Sequence, residues 1–375
     1  MKMKKHIGYG IAVCLLLAGT AQAQNVKWNN STGNQDWADG GNWDSGVVPG
    51  NAASAFLIDA AAAPAIINSA VPDVGRVLVE NSQFEVAAGG NLNVTSGFNG
   101  QGILAYGAGT TGSLLMSGGT ATFAGSFYTG LMGNGTLTVN SGTVNANGIA
   151  VIASAASSTG FAVMNGGVMN VAADFTVGDF GTGGLTLNGG TLNANGGWTM
   201  VGRRPGVLGT MLVDGGDFNS TGNLFIGAEG TGILTVNSGS VNLGGWLIGS
   251  KYNAGATADL VINGGVVSAS SMDLSGLGAV TLDLNGGLLI TRSGVLLEDA
   301  DSTFYIGAGE LRFDGSAYGD VLAQVSGSNF IYDDTMSVTD NGTYISVTSI
   351  PEPATLGLMV FFGGAAIAIR RHLLI

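Results

Sequence analysis

Hydrophobic and polar residues alternate along short segments between Leu114 and Ile290, and the alternation returns eight times. Each copy centres on a triplet of one polar residue followed by small residues ending in glycine. The eight triplets are Ser117-Gly118-Gly119, Asn140-Ser141-Gly142, Asn165-Gly166-Gly167, Asn188-Gly189-Gly190, Asp214-Gly215-Gly216, Asn237-Ser238-Gly239, Asn263-Gly264-Gly265 and Asn285-Gly286-Gly287. Successive triplets are 23, 25, 23, 26, 23, 26 and 22 residues apart. A period of this size is typical of solenoid proteins.

Apolar residues occupy the positions one and three before each triplet. They are Met116/Leu114, Val139/Leu137, Met164/Ala162, Leu187/Leu185, Val213/Met211, Val236/Leu234, Ile262/Leu260 and Leu284/Leu282. A period of two indicates a β-strand with one buried face. A helix would need apolar residues three and four apart, and these segments do not have them. We therefore predict that these sixteen side chains face the core.

Each triplet is predicted to turn the chain, because Asn, Asp and Gly accept left-handed backbone. Two further short apolar segments follow, as in Thr143-Val144-Asn145 and Leu224-Phe225-Ile226-Gly227. One copy has too few inward side chains to offset the entropy of ordering its backbone, so copies are stable only when stacked. The sequence thus predicts an all-β protein, a parallel β-helix of about 24-residue coils spaced about 4.8 Å apart. The general preference for right-handed crossovers favours a right-handed winding, and about thirteen turns would span Trp28 to Val347.

Stacking would place equivalent residues of successive coils in columns. One column would contain five asparagines, whose amides can bond to one another along the stack: Asn145, Asn170, Asn193, Asn219 and Asn242. Another would contain Arg204, Glu229 and Lys251, each two positions after a glycine that ends the third segment. Alternating charge favours neighbours in such a column.

Composition narrows the classes of function. Glycine accounts for 66 of 375 residues, which repeated tight corners explain, and charged residues are only 10%. The net charge of −13 argues against a nucleic-acid partner, because phosphate binding needs a basic surface.

Residues 1–23 are predicted to be a secretory signal peptide with a helical apolar segment. Three lysines precede the apolar run from Ile7 to Gly19, and Ala21 and Ala23 are small residues at the cleavage-defining positions. The alternative is a retained membrane anchor. Cleavage before Gln24 would leave 9 basic against 25 acidic residues, a net charge of −16, and would remove Cys14, the single cysteine. We therefore expect no disulfide, no cysteine metal site and no cofactor.

Residues 24–59 hold three of the five tryptophans, Trp28, Trp37 and Trp43. Because a solenoid needs an atypical first unit to cover its core, we predict that this segment is an N-terminal cap. A carbohydrate-binding use of the tryptophans is the alternative. The cap and the repeats at 60–349, clearest at 114–292, resemble those of bacterial exported proteins with autotransporter-like or pectin-lyase-like β-helix repeats.

Residues 350–375 contain Pro351-Glu352-Pro353, then an uncharged apolar run from Ala354 to Ile369, then Arg370 and Arg371. The run predicts a single transmembrane helix, and the arginines after it place the C-terminus in the cytoplasm. This order resembles the PEP-CTERM sorting signal of Gram-negative bacteria. The resemblance implies that an exosortase-type membrane protease recognises Pro351, Glu352 and Pro353. It also implies export to the cell surface or an extracellular polysaccharide matrix.

Candidate catalytic residues are few. The only histidine beyond the signal peptide is His372, which excludes a Ser-His-Asp triad in the repeats. A polysaccharide lyase or hydrolase on this scaffold would draw on six charged residues: Asp174, Asp179, Arg203, Arg204, Asp214 and Asp217. Asp179 and Arg203, one coil apart, read more simply as a surface ion pair. We therefore expect a structural or adhesive surface protein and hold the polysaccharide-active enzyme as the alternative.

Overall fold

The computed structural model describes residues 24–57, 63–296, 301–316, 318–333 and 335–350. In these ranges the chain winds as a parallel β-solenoid of about 11 turns. This confirms the predicted parallel stacking of coils but corrects the expected thirteen turns, because a helix begins at Tyr318 and, after one more parallel strand at Phe330–Tyr332, the chain ends in antiparallel strands. The predicted signal peptide and the predicted sorting tail from Pro351 lie outside the described residues.

The strands of the first half are β1 (Gln24–Lys27), β2 (Ala53–Leu57), β3 (Ala65–Ile67), β4 (Arg76–Val79), β5 (Ser82–Val86), β6 (Asn91–Val94), β7 (Gly102–Leu104), β8 (Thr111–Phe123), β9 (Phe127–Thr129), β10 (Asn134–Ala146), β11 (Ala150–Ile152), β12 (Thr159–Met164), β13 (Val168–Val171), β14 (Phe175–Val177), β15 (Thr182–Leu187) and β16 (Thr191–Ala194). Those of the second half are β17 (Trp198–Val201), β18 (Leu208–Ser220), β19 (Asn223–Ile226), β20 (Thr231–Leu243), β21 (Trp246–Gly249), β22 (Thr257–Ile262), β23 (Val266–Ala269), β24 (Ser271–Asp273), β25 (Ala279–Leu284), β26 (Leu288–Thr291), β27 (Val295–Leu296), β28 (Thr303–Ile306), β29 (Glu310–Asp314), β30 (Phe330–Tyr332), β31 (Thr335–Asp340) and β32 (Tyr344–Ile350). Two short 3-10 helices, Gly40–Asn42 and Ser96–Phe98, and one α-helix, α1 (Tyr318–Val325), complete the described elements.

Each coil has three faces, as the repeat predicts. The first face precedes the triplet and the second follows it. The two merge where 13-residue strands such as β18 and β20 continue through the corner. The third face is a separate twelve-stranded sheet in the order β1-β2-β4-β7-β9-β11-β14-β17-β19-β21-β24-β27. Neighbouring coils pair in parallel on every face, so each coil supplies the backbone partners of the next.

The core forms where the alternation places it. All sixteen side chains one and three before the triplets are buried, including the small Ala162. The eight residues between them are half-buried on the outer surface, and these are Leu115, Thr138, Val163, Thr186, Leu212, Thr235, Val261 and Asp283. The strand period therefore determines which side chains form the core of the solenoid.

At seven of the eight triplet corners the last glycine is left-handed, and at the corner led by Asp214 the middle one, Gly215, has positive φ instead, at 127°. Gly142, Gly167 and Gly190 have φ of 85°, 70° and 73°, in the left-handed region that favours glycine. The leading polar residue instead bonds along the stack: the amide nitrogen of Asn188 donates to the side-chain oxygen of Asn165 at 2.9 Å. A glycine is therefore the left-handed residue of the turn. The leading asparagine instead belongs to a column of side chains that runs along the stack.

The predicted asparagine column on the second face is confirmed. Asn170, Asn193, Asn219 and Asn242 each donate their side-chain amide to the Oδ1 of the asparagine one coil earlier, at 2.9, 2.9, 3.0 and 3.0 Å. Asn145 ends the column by donating to Thr122 Oγ1 at 3.1 Å. Because each amide donates toward the preceding coil and the first four also accept from the following one, the column holds five successive coils in register.

The tryptophans of the N-terminal segment are buried. Trp28, Trp37 and Trp43 are 1%, 0% and 2% exposed. Trp43 packs edge to face against Trp28 at 5.1 Å and against Trp37 at 4.8 Å between ring centroids. The Trp43 indole donates to the Trp37 carbonyl at 2.9 Å. The rings therefore close the N-terminal end of the core, and none of the three is presented at the surface.

The C-terminal end is covered by elements that the repeat does not predict. Helix α1 packs Val321 and Val325 onto the core, both buried. Strand β32 then pairs antiparallel with both β29 and β31. A reversed strand cannot continue the parallel stack, so this hairpin ends it.

Candidate functional site

The charged residues nominated as catalytic candidates divide between two parts of the coil. Asp174, Asp179, Arg203 and Arg204 lie on or beside the third face, whereas Asp214 and Asp217 lie at a triplet corner within β18. The Asp217 carboxylate accepts a hydrogen bond from Ser240 Oγ at 2.6 Å. The structure therefore does not bring all six residues into one cluster.

The predicted neighbours Asp179 and Arg203 form an ion pair. Arg203 Nη1 lies 3.1 Å from Asp179 Oδ1, and Arg204 Nε lies 3.8 Å from the same oxygen. Arg204 also approaches Glu229 at 3.8 Å, and its guanidinium lies 5.1 Å from the ring centroid of Phe180. Both arginine side chains are about one-third exposed, so the pairs are worth about 0–1 kcal/mol each. These carboxylates and guanidinium groups therefore form ion pairs with one another on the surface of the coil.

The predicted column of Arg204, Glu229 and Lys251 is wrong at Lys251. The expectation assumed that Gly249 turns the corner, but Gly249 pairs with Ile226 as the last strand residue, and Ser250 turns the corner with φ of 41°. Lys251 is therefore displaced by one position and forms an ion pair with Asp273 on the following coil. Burial raises the pKa of Asp273, but hydrogen bonds from Lys251 and Ser275 outweigh burial and hold this pKa below its ordinary value.

Two tryptophans stand on the outer surface of the third face at equivalent positions two coils apart. Trp198 pairs with Asn223, and Trp246 occupies the same position on the next coil. They are 51% and 43% exposed. The carboxylate of Asp174 accepts from the Trp198 backbone N–H at 3.1 Å, and the Asn223 side chain accepts from the Trp246 N–H at 2.8 Å. Each tryptophan is thus fixed by a side chain of the preceding coil.

A buried apolar layer supports this surface from the outer side of the sheet. Met200, Phe225, Ala228 and Ile248 form a cluster separate from the main core and are 8%, 3%, 3% and 6% exposed. Tyr252, 56% exposed, stacks on Phe225 with ring centroids 5.9 Å apart and planes at 28°.

We call Trp198, Phe225, Trp246 and Tyr252 the aromatic face. The Trp198 ring also contacts Phe225, at 6.2 Å and 71°. The sequence offered one signal for this surface: the two tryptophans open their third-face strands exactly two repeats apart, at 198 and 246. The repeat alone does not predict that these two residues form an exposed surface, because it does not specify what packs on the outside of a coil.

A shallow cavity of about 400 Å³ lies on the corner that leads into this face. Its lining comes from five successive coils and includes amides, hydroxyls and one guanidinium beside the apolar Leu243: Asn195, Asn219, Ser220, Thr221, Asn242, Leu243, Gly244, Ser268 and Arg292. Asn195 and Gly244 shortly precede the two exposed tryptophans in the chain. The corner therefore provides hydrogen-bonding groups next to exposed aromatic rings.

Within the described part of the chain, no group of three or more His, Cys, Asp or Glu side chains is placed to hold a metal ion. Among the helices of those same residues, none is both long and apolar enough to cross a membrane. Gln24, predicted to follow the cleavage site, is the first residue of β1. Ala21, Ala23, the sorting residues Pro351, Glu352 and Pro353, and Arg370 and Arg371 lie outside the described residues.

Comparison of the chain with protein-family models, with curated proteins and with solved structures finds no match.

Proposed function

We propose that this protein is an exported structural or adhesive β-solenoid of a Gram-negative bacterium, sorted to the cell envelope or the extracellular polysaccharide matrix. The observation that carries the proposal is the use of polar groups along the stack. The asparagine column joins five coils, and the charged residues best suited to catalysis contact one another. Polar side chains that bond to one another between coils stabilise the solenoid and are not arranged to act on a substrate.

The sequence at both ends supports the export part of the proposal. The predicted leader ends at Ala23, and Pro351-Glu352-Pro353 precedes the apolar run and the terminal arginines. An exosortase-type membrane protease is the proposed partner at that motif, and the membrane holds the chain through its C-terminal helix at least until that processing.

Mass spectrometry of the native protein tests both ends. We expect a mature N-terminus at Gln24 and, if the sorting protease cleaves, a C-terminus close to Pro353. The matched variant is Glu352→Ala, which alters the sorting motif and leaves the leader unchanged. It should retain the N-terminal cleavage but accumulate with an intact tail. A native protein that keeps Met1 and fractionates with the cytoplasm would refute export.

A deletion strain tests the structural role. We expect altered matrix or surface attachment, restored by the wild-type gene and by an Arg203→Ala variant. The alternative function, a polysaccharide lyase or hydrolase, predicts the opposite for that variant. If the purified protein degrades a polysaccharide and Arg203→Ala abolishes the activity, the enzyme replaces the structural protein as the function.

A further inference from the structure

We propose that the aromatic face binds an uncharged, extended polysaccharide lying along the winding axis, with sugar rings stacked on Trp198 and Trp246. This inference rests on the proposed function and names the ligand class. The face combines exposed ring surface with nearby amides and hydroxyls. A pyranose ring offers the complementary chemistry, an apolar C–H face bordered by hydroxyl groups.

The spacing of the tryptophans favours a polymer. Trp198 and Trp246 occupy the same position on coils separated by one coil, that of Asn223. Two strand spacings amount to about 9.6 Å along the axis. An extended glycan advances by about this distance over two sugar units, so alternate sugars of one chain can meet the two rings while the sugar between them lies over Asn223.

The rings are held ready for such a ligand. The Trp198 and Trp246 backbone N–H groups donate hydrogen bonds to the side chains of Asp174 and Asn223, respectively. These bonds fix the backbone position from which each indole projects. Phe225 lies beneath Trp198 and Tyr252 and is itself buried. Binding to a preformed aromatic surface avoids the entropy cost of ordering it.

Charge favours an uncharged polymer. Two of the cations near the face are already paired, Arg203 with Asp179 and Lys251 with Asp273. The whole chain is strongly negative, which repels polyanions at long range.

The test is affinity electrophoresis of the purified mature protein in gels containing one polysaccharide each. The probes are dextran, mannan, hydroxyethylcellulose and the uncharged fraction of the polysaccharide secreted by the producing cells, with alginate as the charged comparison. We expect retardation by at least one uncharged polymer. Trp198→Ala and Trp246→Ala should each weaken the interaction about tenfold, as loss of a central aromatic contact does.

Phe161→Ala is the matched control, since Phe161 is 49% exposed on the first face, away from the tryptophans. It should leave retardation unchanged. Tryptophan emission gives a second readout, because the other three tryptophans are buried: binding should shift the wild-type spectrum to the blue, and the Trp198→Ala/Trp246→Ala double variant should show no shift.

Retardation by alginate alone, retardation that survives the double variant, or no retardation by any uncharged probe would overturn the inference. So would self-association that requires both tryptophans in the absence of glycan binding. These outcomes leave the proposed function standing if the protein is still exported and its deletion still alters the matrix. Conversely, if the protein binds glycans through the two tryptophans but is found in the cytoplasm, the glycan inference stands and the proposed function is wrong.

Discussion

Asn193 provides the sharpest test of the stacked architecture. It lies in the middle of the asparagine column, where its Nδ2 donates to Asn170 at 2.9 Å and its Oδ1 accepts from Asn219 at 3.0 Å. Asn193→Ala removes both hydrogen bonds and leaves one acceptor and one donor without partners. At roughly 0.5–1.5 kcal/mol per bond, the free energy of unfolding should fall by about 1–3 kcal/mol.

Asn193→Asp tests the direction of the column. The carboxylate can still accept from Asn219 but cannot donate to Asn170, so two oxygens would face each other across a coil boundary. We expect this variant to be less stable than Asn193→Ala at pH 7. The contact also raises the pKa of the new carboxyl in the folded state, because only its protonated form can donate. The stability contributed by that form is complete below the unfolded pKa of about 3.9 and is lost as pH rises.

The assay is urea unfolding followed by circular dichroism at pH 7 and pH 3, with each variant compared with wild type at the same pH. Hydrogen exchange at peptides covering Asn170 to Asn219 locates the loss, because coils of a solenoid depend mainly on their neighbours. Asn195→Ala, an exposed asparagine of the same coil outside the column, is the control and should change little. An Asn193→Asp protein as stable as wild type at pH 7 would show that the column does not couple the coils.

Three further predictions concern a corner, the cap and an ion pair. Gly202→Ala places a Cβ 2.1 Å from the Thr231 carbonyl oxygen at a φ of 72°, so thermal unfolding should show a loss of at least about 2 kcal/mol. Trp43→Ala opens a cavity under the cap and should cost about 3–5 kcal/mol, with limited proteolysis starting at the N-terminal coils. The depressed pKa of Asp273 stabilises the fold above its unfolded pKa, and this contribution disappears as pH falls through the folded value. Lys251→Met should therefore lower the free energy of unfolding more at pH 6 than at pH 2, measured by denaturant titration.

Each of the three predictions has a control variant or a contradicting outcome. Ala153, with φ of 62°, already places a Cβ at the corner that Gly202 occupies two coils later, so Ala153→Gly should change stability by less than about 1 kcal/mol. Trp246→Ala, at an exposed tryptophan, should leave the protease pattern of the cap unchanged. Equal acid sensitivity of wild type and Lys251→Met would contradict the role given to the ion pair.

The parts of the fold that follow from local periodicity were predictable. Alternation placed Leu137 and Val139 inside, and the repeat put Asn170 next to Asn193, because strand geometry alone decides the side to which a residue points. The placement of Arg203 beside Asp179 followed from the same register. These features need no knowledge of what else packs on the coil.

The sequence-based predictions failed at two kinds of place. One is where the position of a corner shifts by one residue, and the other is where the end of the solenoid is covered by other elements; both depend on contacts with distant parts of the chain. Ser250 turns a corner that glycine turns on three preceding coils, and this moved Lys251 to Asp273. Helix α1 has only a short apolar pair, Val321 and Val325, which does not stand out against the strand pattern. The two ends of the described solenoid are covered by different structures, the tryptophan-containing segment at the N-terminal end and the helix with antiparallel strands at the C-terminal end. The repeat pattern does not predict either structure.

By itself, the sequence determined the solenoid, its inward side chains and its asparagine column, because a repeat of period two within a repeat of about 24 residues has one compact solution when coils stack. Only the tertiary structure decided which tryptophans are core and which are surface. Trp43 and Trp246 are the same residue type, yet one is closed in by the N-terminal segment and the other stays open on the third face. Exposure on the outside of a coil depends on which distant parts of the chain pack against it, and that packing is not a property of the local sequence.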